Sequence, residues 1–155
     1  EEMTLTSSYM KNTQVAVVLA TSSVNKLSDL VDKTVIIQNG STASKAIDNN
    51  IDFKNSLKEL VLVEDNVQAL LDLKTSGSDA VVMDEIVARY YVEKEEGTYH
   101  ILEEVLEEED YVIGFRKGEM ALAAEIEKQL KSMASDGTLA KISEEWFGKD
   151  ITTIK

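Results

Sequence analysis

The sequence predicts an α/β fold built around a mostly parallel sheet and followed by two C-terminal helices. Short apolar runs rich in β-branched residues alternate with amphipathic stretches, which is the pattern of repeated strand–helix–strand units. After Phe115 the apolar residues recur at helical spacing only. These two observations place a candidate domain boundary near Phe115.

The strands are predicted from short apolar runs that end at turn or helix signals. The run 15–19, with the sequence VAVVL, is short and β-branched, as expected of a buried strand. The run 34–38, TVIIQ, is followed by the turn pair Asn39-Gly40. The full set of predicted strands is 15–19, 34–38, 60–63, 79–83, 99–102 and 111–115.

Between the first strands, helices are predicted from spacing and from capping residues. A helical turn is expected at 27–30 and a helix at 41–49. Asp65-Asn66 is a capping pair for a further helix, which Ser76-Gly77 ends. The apolar positions of that helix, which are predicted to lie on one face, are Val67, Leu70 and Leu71.

The later helices follow the same reasoning. Apolar and aromatic residues between 85 and 94 recur at helical spacing, and Gly97 ends that helix. In the last stretch, Asp136-Gly137 separates two helices, and Gly148 is placed as the C-cap of the second. The predicted apolar faces of these two helices are Leu122, Ile126, Leu130 and Met133, and Leu139, Ile142 and Trp146.

Composition excludes several classes of function. The chain has 29 acidic and 16 basic residues, a formal net charge of −13, which argues against nucleic acid and anionic membranes as partners. It has no cysteine and one histidine, His100, so no disulfide, zinc–thiolate site or thiol nucleophile is available. No catalytic set, metal site or cofactor is predicted. The acidic clusters 93–96 and 103–110 are expected in solvated connections.

The first candidate site is the strand-to-helix junction that contains Gly40, Ser41 and Thr42. Glycine permits a sharp turn, small hydroxyl residues open a helix, and the N–H groups of a helix N-terminus favour an anion such as a carboxylate or phosphate. Taken alone, such a segment is more often an ordinary N-cap. The junction lacks the Gly-Lys-Ser/Thr ending of a P-loop.

The second candidate is Asp84, which directly follows an apolar strand and opens a helix. Its carboxylate either caps that helix, the commoner arrangement, or faces a cationic ligand. In a parallel sheet both junctions lie at the carboxyl ends of strands, where α/β proteins bind ligands. An α-amino acid has a carboxylate and an ammonium that complement this pair.

Five segments, in order along nearly the whole chain, resemble motifs of the bacterial extracellular solute-binding protein family 3, the amino-acid receptors of ABC importers. Any one motif is weak, but five in the correct order are specific. Asp32 stands where the first motif usually has glycine. The segments are Leu27-x-Asp29-Leu30-x-x-Lys33-x-Val35, Gln38-x-Gly40-Ser41-Thr42-Ala43, Leu70-x-x-Leu73-x-x-x-Gly77-x-Asp79-Ala80-Val81-x-x-Asp84, Tyr111-x-Ile113-Gly114-Phe115-x-Lys117-Gly118 and Asp136-Gly137-Thr138-Leu139-x-Lys141-Ile142-x-x-x-Trp146-Phe147-Gly148.

The resemblance implies a periplasmic-binding-protein type II fold and six ligand-binding positions. In the family the glycine–hydroxyl turn holds the ligand carboxylate, and the Asp after the third motif's strand pairs with the ammonium. The residues before the turn and before that Asp often touch the ligand side chain. The corresponding residues here are Gly40, Ser41 and Thr42 for the carboxylate, Asp84 for the ammonium, and Gln38 and Met83 for the side chain.

The resemblance also implies a domain organisation. Residues 1–10 correspond to a remnant of lobe 1 that leads to the hinge, and 11–115 to lobe 2 with hinge strands at both ends. Residues 116–155 correspond to helices that pack on lobe 1. The family's Phe-Ser-x-Pro-Tyr is replaced by Leu5-Thr6-Ser7-Ser8-Tyr9. Most of lobe 1, with an arginine that clamps the carboxylate and aromatic residues around the ligand, has no counterpart in the chain.

The chain begins at Glu1 and not at a methionine, and it contains no signal peptide or membrane span. We therefore expect a cut or processed chain whose export signal lies in the missing part. The implied full protein is extracellular or periplasmic, is anchored as a lipoprotein, binds a small-molecule amino acid and docks on ABC permease membrane subunits. The fragment is expected to bind ligand poorly and to self-associate through its exposed C-terminal helices.

Two alternatives remain at this stage. Cyclohexadienyl and arogenate dehydratases share the fold and resemble these receptors, so an enzyme of that kind is one. The other is a ligand-sensing module of a larger receptor. The family resemblance favours a binding protein that is not an enzyme.

Overall fold

The computed structural model describes residues 3–154, so Glu1, Glu2 and Lys155 lie outside it, including the start of the predicted lobe 1 remnant. The chain divides into two compact units. The first, Thr13–Glu108, is called the α/β unit here. The second, called the terminal unit, combines the chain before Thr13 with the chain after Glu108.

The described residues form seven strands and six α-helices. The strands are β1 (Thr4–Leu5), β2 (Met10–Leu19), β3 (Thr34–Gln38), β4 (Glu59–Val63), β5 (Ala80–Asp84), β6 (Tyr99–Tyr111) and β7 (Gly114–Phe115). The helices are α1 (Thr42–Asn49), α2 (Ile51–Ser56), α3 (Asn66–Lys74), α4 (Glu85–Lys94), α5 (Met120–Ser135) and α6 (Thr138–Phe147), and a 3-10 turn spans Leu27–Leu30. None of these helices is long and apolar enough to span a bilayer.

The α/β unit is organised around a five-stranded sheet in the order β4-β3-β5-β2-β6. Strand β3 is parallel to β4 and to β5, with Ile36 opposite Val61 and Val81. Strand β2 runs antiparallel to β5. The predicted α/β class is confirmed, with a sheet that is mixed rather than wholly parallel.

The central strands are buried on both faces, which explains why they read as continuous apolar runs. Side chains alternate between two hydrophobic clusters because successive residues of a strand point to opposite sides. Val35 and Ile37 pack in one cluster with Ile47 of α1, each 0% exposed. Ile36 packs in the other with Leu70 and Leu73 of α3.

Two helical predictions need correction. The helix predicted at 41–49 is followed at once by α2, which the sequence did not predict. Of the three apolar positions predicted on one face of α3, Leu70 is buried, but Val67 and Leu71 are 57% and 60% exposed. The helix buries Ala69, Leu70 and Leu73, which pack in one core cluster with Ile36 and Val81 of the sheet.

The acidic segment 103–110 is also different from the prediction. It belongs to β6, one continuous 13-residue strand, and not to a connection between two short strands. The strand lies at an edge of the sheet, where outward carboxylates stay solvated. The predicted strand 111–115 is likewise divided, since β6 ends at Tyr111 and β7 covers Gly114–Phe115.

Asp32 adopts a left-handed backbone with φ 58°. This is the position where the family motif usually has glycine, the residue that adopts this conformation without strain. Asp32 donates its backbone N–H to Ser56 O at 2.9 Å, a hydrogen bond that ties the turn before β3 to the end of α2.

The terminal unit contains β1 paired antiparallel with β7, and the helices α5 and α6. Its C-terminal segment pairs with the start of β2, where Lys11 N–H donates to Ile151 O and Thr153 N–H to Tyr9 O. Gly148 has φ 70° and donates to Glu144 O at 2.9 Å, so the predicted C-cap of α6 is confirmed.

Candidate ligand-binding site

The two junctions singled out by the sequence are neighbours. Strands β3 and β5 are adjacent and parallel, and they end at Gln38 and Asp84. Helices α1 and α4 begin directly after those ends. The carboxyl-terminal edge of the sheet therefore presents two helix starts side by side, in the position where α/β folds bind ligands.

The first junction is shaped by Gly40 and Ser41. Gly40 has φ 69°, a left-handed conformation that lets the chain turn sharply out of β3. Ser41 is the N-cap of α1, since its Oγ accepts a hydrogen bond from Ser44 N–H at 3.2 Å. The same hydroxyl donates to Gln38 O at 2.7 Å, so its one hydrogen is already used.

Two backbone donors at this junction remain available. Within residues 3–154, the N–H groups of Thr42 and Ala43 have no hydrogen-bond partner. Both lie in the first turn of α1, where the helix dipole favours negative charge. The junction is thus an N-cap whose capping by Ser41 uses neither of these two donors, so both stay available to an anion.

At the second junction, the Asp84 carboxylate is turned away from its own helix. Asp84 occupies the N-cap position of α4, but its side chain makes no capping hydrogen bond. Its Oδ1 accepts instead from Thr42 Oγ1 at 3.2 Å and from the side-chain amide of Gln14. Asp84 therefore faces the first junction, and the neighbouring carboxylate of Glu85 is paired with Arg89 at 2.6 Å.

Gln14 is a site residue that the sequence analysis missed. It lies on β2 directly opposite Asp84 in the β2–β5 register and is 1% exposed. Its Nε2 donates to Thr42 Oγ1 at 3.0 Å as well as to Asp84. The available signal was an amide placed immediately before the apolar run VAVVL, a polar residue that burial obliges to find partners.

The structure does not bring Gln38 and Met83 to the same place as the other predicted residues. The Gln38 side chain donates to Glu64 O at 3.1 Å, toward the start of α3. Met83 is 1% exposed and packs in the core cluster with Val15 and Ala88. Their contact with a ligand side chain stays a prediction.

Comparison with known proteins matches residues 1–149 to the family described as bacterial extracellular solute-binding proteins, family 3. The L-cystine-binding protein TcyJ of Escherichia coli K12 is 30% identical over 57% of this chain and 34% of its own length. The glutamine-binding protein GlnH of Bacillus subtilis is 32% identical over 75% of this chain and 41% of its own length.

Solved structures agree with these relatives. A substrate-binding protein of an ABC uptake transporter from Streptococcus pneumoniae, with bound histidine, superposes with a TM-score of 0.83 at 33% identity. The match covers 97% of this chain and 63% of that one. An ancestral arginine-binding protein bound to glutamine has a TM-score of 0.73 at 32% identity, over 95% of this chain and 64% of that one.

The chain thus spans between about a third and just over half of the length of the curated relatives that it matches. Its type II periplasmic-binding-protein architecture is the one that its structural neighbours have. The match over residues 1–149 covers nearly all of the sequence. The chain belongs to family 3 of the bacterial extracellular solute-binding proteins.

Proposed function

We propose that this chain provides one lobe of the amino-acid site in the substrate-binding component of an ABC importer. The observation that carries the proposal is that two unused backbone donors, the N–H groups of Thr42 and Ala43, lie beside the Asp84 carboxylate at one edge of the sheet. An α-amino acid carries a carboxylate and an ammonium on one carbon, so it complements both. The proposal involves binding alone and assigns no catalytic step.

The proposed roles follow the chemistry of each group. The turn of Gly40, Ser41 and Thr42 holds the ligand carboxylate through backbone N–H groups whose direction Ser41 sets as N-cap. Asp84 accepts hydrogen bonds from the ammonium. Gln38 and Met83 are proposed to contact the ligand side chain.

The family resemblance supports a proposal for the remaining parts of the chain. We propose that 11–115 is lobe 2 with hinge strands at both ends, that 116–155 packs on lobe 1 in a longer protein, and that 1–10 leads from lobe 1. The family is extracellular or periplasmic. Closure of two lobes around the ligand, docking on ABC permease membrane subunits and a lipoprotein anchor are proposals for that longer protein.

The test is a titration of the isotopically labelled chain with a panel of amino acids, followed by NMR. We expect binding in roughly the millimolar range, because one lobe supplies only part of the contacts. The largest shifts should fall on the Thr42 and Ala43 amides. Asp84→Asn removes the ion pair with the ammonium and should weaken binding about tenfold or more.

The matched control is Asp48→Asn, which removes a carboxylate from the other end of α1, where Asp48 pairs with Lys54 at 2.7 Å. It should leave affinity unchanged. If no amino acid moves the Thr42 and Ala43 amides, or if Asp84→Asn binds as tightly as the wild type, the proposed function is wrong.

A further inference from the structure

We propose that Gln14, Thr42 and Asp84 form a hydrogen-bond latch whose Thr42–Asp84 bond an α-amino acid replaces when it binds. The inference rests on the proposed function and deepens it. In the free chain the Thr42 hydroxyl is committed to Asp84. On binding, the ligand ammonium takes that place on Asp84, and the Thr42 hydroxyl turns to the ligand carboxylate. Gln14 is the positioning residue that holds both side chains throughout.

The donors and acceptors of the latch allow one arrangement. An ionised carboxylate only accepts, so the Thr42 hydroxyl donates its single hydrogen to Asp84 Oδ1 across 3.2 Å. The Thr42 oxygen must then accept, and its donor is Gln14 Nε2 at 3.0 Å. The second hydrogen of Gln14 Nε2 goes to Asp84 Oδ1. Both amide hydrogens of Gln14 and the only hydroxyl hydrogen of Thr42 are used.

This arrangement limits what the free site offers to a ligand. A carboxylate that arrives alone finds the backbone N–H groups of Thr42 and Ala43, but not the Thr42 hydroxyl. An ammonium brings three donors and a positive charge, so it replaces the hydroxyl on Asp84 with a charge-assisted bond. The released hydroxyl then rotates about its Cβ–Oγ bond toward the carboxylate. No covalent bond changes in this exchange.

Gln14 is suited to hold the two side chains because it has little freedom of its own. It is 1% exposed, and its backbone is paired with Asp84 in the β2–β5 ladder. Its two N–H bonds point at Thr42 and Asp84 before and after the exchange, so neither group needs to reorganise when a ligand arrives. Preorganisation of this kind improves affinity without adding a ligand contact.

The latch predicts that the site prefers ligands with an α-ammonium over ligands without one by more than the contribution of a single ion pair. A ligand without an ammonium cannot release the Thr42 hydroxyl, so it loses two interactions. L-alanine and propionate are suitable probes because they differ only in the α-amino group. We expect the wild-type chain to bind L-alanine more than tenfold more tightly than propionate, measured from the Thr42 and Ala43 amide shifts.

The variant that tests the positioning role is Gln14→Met, which keeps the volume and removes both amide hydrogens. Without ligand, it should shift the carboxylate ¹³C resonance of Asp84, because that group loses a hydrogen-bond donor. With ligands, the affinity ratio of L-alanine to propionate should fall at least threefold. A role limited to stability would lower both affinities equally and leave the ratio unchanged.

The control is Thr13→Val, one residue earlier on β2. It breaks the 2.6 Å hydrogen bond from Thr13 Oγ1 to Glu85 and leaves the latch intact, so the ratio should stay at the wild-type value. An unchanged Asp84 resonance in ligand-free Gln14→Met overturns the latch, as does an unchanged ratio. If no amino acid shifts the amide resonances of Thr42 and Ala43, the proposed function is wrong. In that case the Asp84 resonance of the ligand-free Gln14→Met variant still tests whether the latch exists.

Discussion

Two buried serine hydroxyls have opposite surroundings, and this difference gives a stability prediction. Ser143 is 3% exposed, and its hydroxyl donates to Lys149 O at 2.9 Å and accepts from Ile151 N–H at 3.0 Å. Ser78 is also buried, but within residues 3–154 its Oγ has no hydrogen-bond partner. A buried hydroxyl without a partner lowers stability, whereas one that bridges two backbone groups raises it.

Replacement of Ser78 by alanine should therefore leave the free energy of unfolding unchanged or raise it by about 1 kcal/mol. Ser143→Ala, the matched control, should lower it by about 1–3 kcal/mol, because it removes both hydrogen bonds of a buried hydroxyl. Urea unfolding followed by circular dichroism measures both. A loss of stability of more than about 1 kcal/mol in Ser78→Ala would mean that a bound water or ion satisfies that hydroxyl.

Among the site residues, those with a local signature could be predicted from the sequence. The residue types of Gly40 and Ser41 alone predict a turn and an N-cap. Asp84 could be predicted because it lies between an apolar strand and a helix. Gln14 could not be found in the same way. Its role arises from the antiparallel pairing of β2 with β5, a contact across 70 residues that no local pattern contains.

At the scale of elements, the limits of prediction follow from packing. The bounds of β3 and α4 agree with the sequence prediction, because a glycine turn follows each of them closely, at Gly40 and at Gly97. The burial of Ala69 in α3 was not predicted, because the side chains of Val67 and Leu71 are larger and more hydrophobic than that of Ala69. Ala69 is buried instead because it lies on the side of α3 that packs against Ile36 and Val81 of the sheet.

One side chain of α5, that of Glu127, holds the segment around Ser7 in place. Glu127 of α5 accepts a hydrogen bond from Ser7 N–H at 2.6 Å and a second from Ser7 Oγ at 2.9 Å. These two hydrogen bonds hold the pKa of Glu127 below its usual range, and the bond from the backbone N–H of Ser7 lowers that pKa more than the bond from its hydroxyl. The carboxylate form is therefore favoured by folding, and Glu127 stabilises the folded state at neutral pH.

Glu127→Gln should lower the urea midpoint at pH 7. A group whose folded pKa is lowered contributes fully above its unfolded pKa and loses its contribution as pH falls through the folded value. The difference between wild type and variant should therefore stay constant down to about pH 5 and shrink at lower pH. Glu125→Gln is the control, since Glu125 contacts Gln129 and Lys128 on the same helix. A difference that grows below pH 4 would contradict this account.

At the scale of the whole molecule, the order of the segments was more informative than any single one. The alternation of strands and helices predicted the class, and the ordered motifs predicted the family, because both depend on how local signals follow one another. What the sequence could not reveal is how far a strand extends. Strand β6 continues through an acidic segment because an edge strand tolerates charge on its solvated side.

The terminal unit leaves apolar side chains uncovered on both of its helices. Leu122 of α5 is 50% exposed, and Ile142 and Trp146 of α6 are 42% and 56% exposed. Apolar side chains that lie together on a protein surface can form an interaction site. We propose that copies of this chain associate through these three residues, which are called the α5–α6 face here. The net charge of −13 opposes that association, since like-charged copies repel one another.

These two forces predict how association depends on solution conditions. Salt screens the repulsion and strengthens apolar burial, so the average mass in sedimentation velocity should rise with protein concentration and rise further with added salt. Trp146→Ser removes the largest apolar side chain of the α5–α6 face and should lower the association constant about tenfold or more. Leu71→Ser, which makes the same uncharged replacement at a similarly exposed residue on α3, is the control for apolar exposure elsewhere and should have little effect. High salt screens the repulsion between the charged copies, so it removes the force that opposes association. A chain that stays monomeric at about 1 mM in high salt would therefore show that the α5–α6 face does not bind a second copy.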